Sequence, residues 1–262
     1  MTRRRPQRGP RWTSAAARRL LTLAGNPPSV EDAIDVVTSR LLEGVQCPPT
    51  DLEAIRPRLN ITGFCGEDIA GSGELRRDGE GFRIVYSLSL SPTRRRFTIA
   101  HEMAHALFET TGRNCPRTGA ELERICDKIS AEILMPRRQF TARLGLDLSV
   151  RKVMEMSQLF RTSISATAIR CAELMNVSVF GIEGDTIIWS FGVIRSGSIH
   201  RADHNIRELY AKLKRGDAVN DVIYLESRRG YDEWRVEAMP IGDQERSLFL
   251  LKPTRVPRKP AL

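Results

Sequence analysis

The sequence of 262 residues predicts an α+β protein, with helices over most of its length and strands concentrated towards the end. Two observations lead to this prediction. Up to about residue 176, apolar residues recur mainly at helical spacing, whereas beyond it they form the short alternating runs that are typical of strands. Hydrophobic residues make up 41% of the chain and charged residues 28%, which is ordinary for a globular protein and excludes a wholly disordered or collagen-like chain.

Capping and turn residues place the individual elements. In the first part of the chain, helices are expected over 14–23, 30–44 and 52–59, and strands over 74–77 and 82–88. Pro92 then opens a long helix that ends near Gly112, because proline is pre-organised for the first helical position. Further helices are expected over 118–136, 150–160, 164–175 and 205–214, and strands over 177–182, 186–194, 222–226, 234–239 and 247–251.

The positive charge of the chain is concentrated at its two ends. The net charge is +9, but residues 1–20 hold seven arginines and residues 252–262 hold four basic residues, with no acid in either segment. Subtracting these charges leaves −2 for residues 21–251. We therefore expect a basic, largely disordered arm over 1–27 and a basic tail over 253–262, which together could make weak contact with DNA.

Cysteine usage and hydropathy bear on the compartment. The five cysteines are an odd number, widely spaced and without a Cys-x-x-Cys pair, which excludes a disulfide framework and a thiolate zinc site. No apolar run reaches the roughly 18 residues that a membrane span requires. These features predict a cytoplasmic protein with no membrane partner.

The strongest chemical motif is His-Glu-Met-Ala-His at residues 101–105. Two histidines four residues apart on a helix lie on one face, about 5–6 Å apart at their Cβ atoms, so His101 and His105 can converge on one Zn²⁺ ion. Glu102 follows the first of them, in the position from which a carboxylate deprotonates a zinc-activated water. The motif predicts metal-assisted hydrolysis of a peptide bond.

A catalytic zinc needs a third protein ligand. A histidine six residues beyond the motif is excluded, since that position holds Thr111. The remaining candidates are Glu109, Glu121 and Glu123. Glu109 lies on the helix of the motif itself, and Glu121 completes a Thr-x-x-Glu capping box that begins at residue 118.

Glu123 is the preferred third ligand, because it borders the apolar face of its helix and has no capping role. Asp127 lies one turn further on the same side. A carboxylate pair that faces inwards needs a cation. Asp127 is therefore predicted to orient a ligand histidine through the other ring nitrogen.

With these motifs in place, the sequence resembles the ImmA/IrrE family of zinc metallopeptidases over roughly residues 40–175. The resemblance is carried by five segments, 49–55, 95–105, 121–127, 131–136 and 157–163. It implies zinc ligands at His101, His105 and Glu123 and a catalytic glutamate at Glu102, in agreement with the assignment from the residues. Two departures are mild: Met103-Ala104 replaces the usual Leu-Gly, and Asp127 stands where Asn is common.

The resemblance further implies an intracellular endopeptidase with a zincin-like core that cleaves a helix-turn-helix repressor and so derepresses stress-response or mobile-element genes. The expected organisation is an arm, a peptidase domain, a helix-turn-helix-like segment, a small carboxy-terminal α+β domain and a tail, with boundaries at 1–27, 28–145, 146–176, 177–252 and 253–262. The alternative is a DNA-binding or ligand-sensing regulator with a degenerate metal site. Against DNA binding, the second helix of the segment carries Arg170 as its only cation.

The residue that would stabilise the oxyanion of the transition state stays open at this point. His200, His204, Arg207 and Tyr210 are the candidates in the carboxy-terminal region.

Overall fold

A computed structural model describes residues 12–109, 119–175, 177–184, 186–194, 205–227, 230–241 and 246–254. The chain divides into two compact units. Unit one contains Met1–Phe140 and Phe160–Thr162, and unit two contains Thr141–Leu159 and Ser163–Leu262. This division places the carboxy-terminal part of the predicted peptidase domain, residues 141–145, with unit two.

The elements up to the second conserved-type helix of the motif region follow in chain order. They are α1 (Ala15–Ala24), α2 (Val30–Leu41), α3 (Leu52–Ile55), a 3-10 turn (Arg56–Leu59), β1 (Ile61–Glu67), β2 (Gly73–Asp78), β3 (Gly81–Ser87), α4 (Pro92–Glu109) and α5 (Ala120–Leu134). The elements that come after these are α6 (Arg137–Leu144), α7 (Val150–Phe160), α8 (Ile164–Leu174), β4 (Ser178–Glu183), β5 (Thr186–Phe191), α9 (Asn205–Lys214), β6 (Val219–Ser227), β7 (Gly230–Pro240) and β8 (Arg246–Pro253).

Helix α1 belongs to the folded unit, which differs from the predicted arm over 1–27. The Ser14 side chain caps the helix by accepting a hydrogen bond from the Ala17 backbone N–H. Ala16 and Leu20 are fully buried, and α1 packs against α2 and α5. The small and apolar residues of this segment therefore supply core contacts, despite the two arginines between them.

The first sheet lies between the amino-terminal helices and α4 in the chain. Its strand order is β1-β3-β2, with β1 parallel to β3 and β2 antiparallel to β3. Strand β1 was not predicted, because its sequence Ile-Thr-Gly-Phe-Cys-Gly-Glu has two glycines and only partial burial, and so lacks an apolar alternation. Strand β2 is an edge strand of this sheet, and it borders the site described below.

The cap of α3 also differs from the expectation that Thr50 provides it. The Asp51 carboxylate accepts the backbone N–H groups of Glu53 and Ala54 instead. The Thr50 hydroxyl is buried and donates to the backbone carbonyl of Ile133, 2.8 Å away. Thr50 thus joins the segment before α3 to the end of α5.

Helix α5 packs along α4 through its apolar face. Ile125, Cys126 and Ile129 on this face are completely buried. This packing fixes which side of α5 faces the motif helix, and it therefore decides which acidic side chains of α5 can reach the two histidines.

Unit two is built on a five-stranded antiparallel sheet in the order β5-β4-β8-β7-β6. Helix α9 packs on β6 and β7, and α8 packs on β4. The strands that the sequence predicts here are all present, with bounds that differ by a few residues. An α+β architecture is thus present in both units.

The helix pair α7 and α8 is joined by a short connection at residues 161–163. Ser163 caps α8 by accepting a hydrogen bond from the Ala166 backbone N–H. The Arg170 side chain is only 9% exposed and pairs with Glu173 at 3.2 Å. A guanidinium in this position is committed to packing within the unit and is not presented to a phosphate.

Among the helices in the described ranges, none has the length and apolarity needed to cross a membrane.

Candidate metal centre

Helix α4 supplies the two histidines of the motif. His101 and His105 lie on the same face, one turn apart, and their Nε2 atoms approach to 3.1 Å. Both side chains are largely buried, at 17% and 19% exposed. The two Nε2 atoms therefore point at a common position.

Helix α5 brings Glu123 to that same position. Its Oε2 atom lies 3.1 Å from His101 Nε2, and its Oε1 atom lies 3.6 Å from His105 Nε2. One ligand atom from each of the three residues falls within 4.8 Å of the other two. The structure thus brings together the three residues that the sequence predicts as zinc ligands.

Glu121, two residues earlier on α5, is directed elsewhere. Its carboxylate accepts the backbone N–H groups of Thr13 and Ser14, at 2.8 and 2.9 Å. These hydrogen bonds, that of Ser14 first, lower the pKa of Glu121. The predicted capping box is therefore not formed by this side chain: Gly119 occupies the N-cap of α5, and Thr118 lies outside the described residues.

Asp127 lies behind His101, where its Oδ1 atom is 3.1 Å from His101 Nδ1. Burial by itself lowers the pKa of His101, but the hydrogen bond to Asp127 outweighs it and raises the pKa above its ordinary value. An Nδ1–H that donates to Asp127 leaves the lone pair on Nε2, which is the atom that faces Glu123. For His105, burial and then the neighbouring His101 lower the pKa.

The donor set fits a zinc ion. In tetrahedral coordination with bonds of about 2.0–2.2 Å, ligand atoms lie about 3.3 Å from one another. The separations of 3.1, 3.1 and 3.6 Å among the two imidazoles and the carboxylate agree with that spacing. Two histidines and a carboxylate are also a common donor set for catalytic zinc, which keeps a fourth position for water or substrate.

Glu102 lies on the same helix and lines the same cavity as the three residues of the cluster. Its side chain is buried, and this burial raises its pKa to about 7, although the nearby His101 acts in the opposite direction. A carboxylate with a pKa near neutrality can both take up and release a proton, as general acid–base catalysis requires.

The cluster opens into a cavity of about 700 Å³ in unit one. Helix α4 forms one wall, edge strand β2 another, and the first turns of α5 a third. Gly73 of β2 lies so close to α4 that a Cβ atom at this position would overlap Thr98 and would lie 3.6 Å from Glu102 Cγ. The glycine therefore sets how closely the edge strand approaches the helix that carries Glu102.

Several residues of the cavity were not predicted from the sequence. Besides Gly73, the walls include Arg77 on β2 and Arg94 on α4, and Glu109 lines the cavity without entering the three-residue cluster. No local pattern marks these residues, because they meet only through the pairing of β2 with β3 and the packing of α4 on this sheet.

The candidates for oxyanion stabilisation do not gain support. Tyr210 is buried in the core of unit two, with its ring 5.7 Å from that of Phe249. His200 and His204 lie outside the described residues, and the side chain of Arg207 is likewise not described.

Comparison with known proteins agrees with this site. Residues 60–172 match the model of the IrrE N-terminal-like domain, a peptidase family (Peptidase_M78). The matched segment includes both helices of the metal cluster and the three-stranded sheet. Through this domain, the chain belongs to the ImmA/IrrE family.

Relatives of this ImmA/IrrE protein were also sought among curated sequences and solved structures. No curated protein gives a significant match. A solved structure described as a Mycobacterium tuberculosis transcriptional regulator is similar in fold, with a TM-score of 0.55 and 13% sequence identity, over 90% of this chain and 79% of that chain. At this identity the likeness concerns the fold alone.

Proposed function

We propose that the protein is a zinc-dependent endopeptidase. The observation that carries this proposal is the convergence of His101, His105 and Glu123, with Asp127 behind one histidine and Glu102 in the same cavity. A purely structural zinc site would be closed by four protein ligands, whereas this cluster has three and adjoins a cavity.

His101, His105 and Glu123 would hold the ion, and Asp127 would keep the His101 ring in the tautomer that ligation needs. Zinc in this position lowers the pKa of a water molecule and polarises the scissile carbonyl. Glu102 takes the proton of the attacking water and passes it to the leaving amine, which is the role that its burial and its pKa of about 7 suit.

The proposed substrate is a helix-turn-helix transcriptional repressor in the cytoplasm, and its cleavage would derepress stress-response or mobile-element genes. Two observations support this choice. The chain belongs to the ImmA/IrrE family, and a protein of similar fold is described as a transcriptional regulator. The cavity is also large enough for several residues of an extended peptide.

The decisive experiment incubates the zinc-loaded protein with a purified helix-turn-helix repressor encoded beside its gene, and maps any cleaved bond by mass spectrometry. Glu102→Gln should retain zinc and lose cleavage. Glu43→Gln removes a carboxylate from an exposed position outside the cavity and should behave like the wild type. Undiminished cleavage by Glu102→Gln, or a wild-type protein that binds no zinc, would show the proposal to be wrong.

A second candidate is a DNA-binding or ligand-sensing regulator that has no peptidase activity. The similarity in fold to a protein described as a transcriptional regulator favours it. In that case, repression or activation of a reporter gene would be the same for the wild type and for Glu102→Gln, and the repressor would stay intact.

The basic amino terminus is proposed to hold the enzyme near DNA-bound substrate. The first eleven residues hold five arginines and no acid, a charge pattern that binds phosphates without sequence preference. Deletion of residues 1–11 should weaken DNA association at low salt and leave cleavage of free repressor unchanged. Loss of cleavage of the free repressor would contradict this division of roles.

A further inference from the structure

We propose that Arg94 and Arg77 select substrates that carry a carboxylate near the scissile bond. This inference rests on the proposed peptidase function and specifies its substrate class. Both arginines line the cavity that holds the metal cluster. The carboxylate would come from an Asp or Glu side chain, or from the carboxy terminus of the substrate.

Both guanidinium groups are supported by aromatic rings of the cavity wall. The Cζ atom of Arg94 lies 5.6 Å from the centre of the Phe97 ring, and that of Arg77 lies 4.6 Å from the centre of the Phe82 ring. Stacking of this kind restricts the guanidinium and lowers the entropy lost when it binds an anion. Phe97 and Phe82 also line the cavity, so each stacked pair belongs to its wall.

Within the part of the chain that the structure describes, neither arginine forms an ion pair. The neighbouring residue Asp78 does not neutralise Arg77, because successive side chains of a strand point to opposite faces and Asp78 instead pairs with Arg83 at 2.8 Å. These two arginines therefore offer positive charge to whatever enters the cavity.

Most of the acidic groups of the cavity are already engaged. Glu123 and Asp127 contact the histidines of the cluster, and Glu74 pairs with Arg76. Burial keeps the pKa of Glu102 near 7. The cavity is thus acidic around the proposed metal position, where a cation balances it, and basic at the two arginines.

The position of Arg94 on α4 gives the spacing. Arg94 precedes His101 by seven residues, or two helical turns, so both lie on one face about 10 Å apart along the helix axis. An extended peptide spans this distance in about three residues. The carboxylate that Arg94 recognises should therefore lie about three residues from the cleaved bond.

The test uses peptides built around the cleaved bond of the repressor, with Glu or Gln at single positions two, three or four residues from that bond. Each is made with a free and with an amidated carboxy terminus, which separates a side-chain carboxylate from a terminal one. Two readouts are measured: kcat/KM for the zinc-loaded wild type, and binding of fluorescein-labelled peptides to zinc-loaded Glu102→Gln by anisotropy. The second readout does not depend on catalysis.

We expect a Glu-over-Gln preference of about fivefold or more at one of these positions, as a carboxylate–guanidinium pair in a partly open cavity provides. Arg94→Gln or Arg77→Gln should reduce this preference, and Arg94→Glu should reverse it in favour of Lys. Arg138→Gln removes the same charge from an exposed site outside the cavity and should leave the preference unchanged.

Equal binding and cleavage of the Glu and Gln peptides, with free or amidated ends, would overturn the inference while leaving the peptidase intact. A preference that survives Arg94→Gln and Arg77→Gln together would also overturn it. If no peptide is cleaved by the wild type, the proposed function fails, and the binding measurements still decide whether the arginines select an acidic ligand.

Discussion

Replacing Gly73 by Ala tests whether the approach of β2 to α4 positions Glu102. Gly73 has ordinary strand geometry, so the effect of the substitution comes from contacts. The added Cβ would overlap Thr98 Cγ2, and would lie 3.1 Å from the Val85 carbonyl oxygen and 3.6 Å from Glu102 Cγ. Since carbon atoms prefer separations of about 3.5–4.0 Å, strand and helix must separate by about 1 Å.

Two effects should follow. Overpacking of this kind costs about 1–3 kcal/mol, which corresponds to a fall in Tm of roughly 3–10 °C for a domain of this size. Because Glu102 shares the helical turn of Thr98, the displacement also moves the catalytic carboxylate. A misplacement of about 1 Å can reduce kcat up to about 100-fold.

Thermal unfolding followed by circular dichroism measures the first effect, and peptide cleavage by the zinc-loaded protein measures the second. Thr98→Ser removes the methyl group that the new Cβ would meet, so Gly73→Ala should be less harmful in that background. Gly63→Ala, in strand β1, is the matched control, because a Cβ there meets nothing within 4 Å.

The reasoning is refuted if Gly73→Ala has the Tm and kcat of the wild type. It is also refuted if the two substitutions are simply additive, since the predicted clash is between Gly73 and Thr98 alone. A fall in Tm with unchanged kcat would show that the close approach serves stability and does not position Glu102.

Three further predictions concern other parts of the protein. Asp127→Asn should weaken zinc binding about tenfold by loosening the first histidine of the motif, as a competition titration with a chromophoric chelator would measure; an unchanged affinity would contradict this role. The hydroxyl of Thr62, and then Arg83, lower the pKa of Asp78. A lowered folded-state pKa stabilises the protein above the unfolded value near 4 and is lost as the pH falls below it, so Asp78→Asn should destabilise the protein more at pH 7 than at pH 3 in urea unfolding. Burial raises the pKa of the Cys171 thiol to about 12, so iodoacetamide at pH 8 should not label it in the native protein, and labelling at the rate of the unfolded chain would argue against this burial.

The sequence alone determined the features that depend on local spacing. Histidines four residues apart share a helical face wherever the helix lies, so the motif indicated a metal site before any fold was known. Most helices and the carboxy-terminal strands also follow from local periodicity and capping. Strand β1 and helix α6 do not, because their local sequences carry too weak an apolar pattern and their conformation depends on pairing and packing with distant residues.

Only the tertiary structure decided how distant segments meet. Glu121 and Glu123 are two residues apart on one helix, yet the packing of α5 on α4 turns Glu123 towards the histidines and leaves Glu121 to the backbone of Thr13 and Ser14. The walls of the cavity likewise arise from the register that sets Gly73 opposite Tyr86 and against α4. Sequence spacing fixes directions within one helix, whereas the distance between two elements depends on the side chains packed between them.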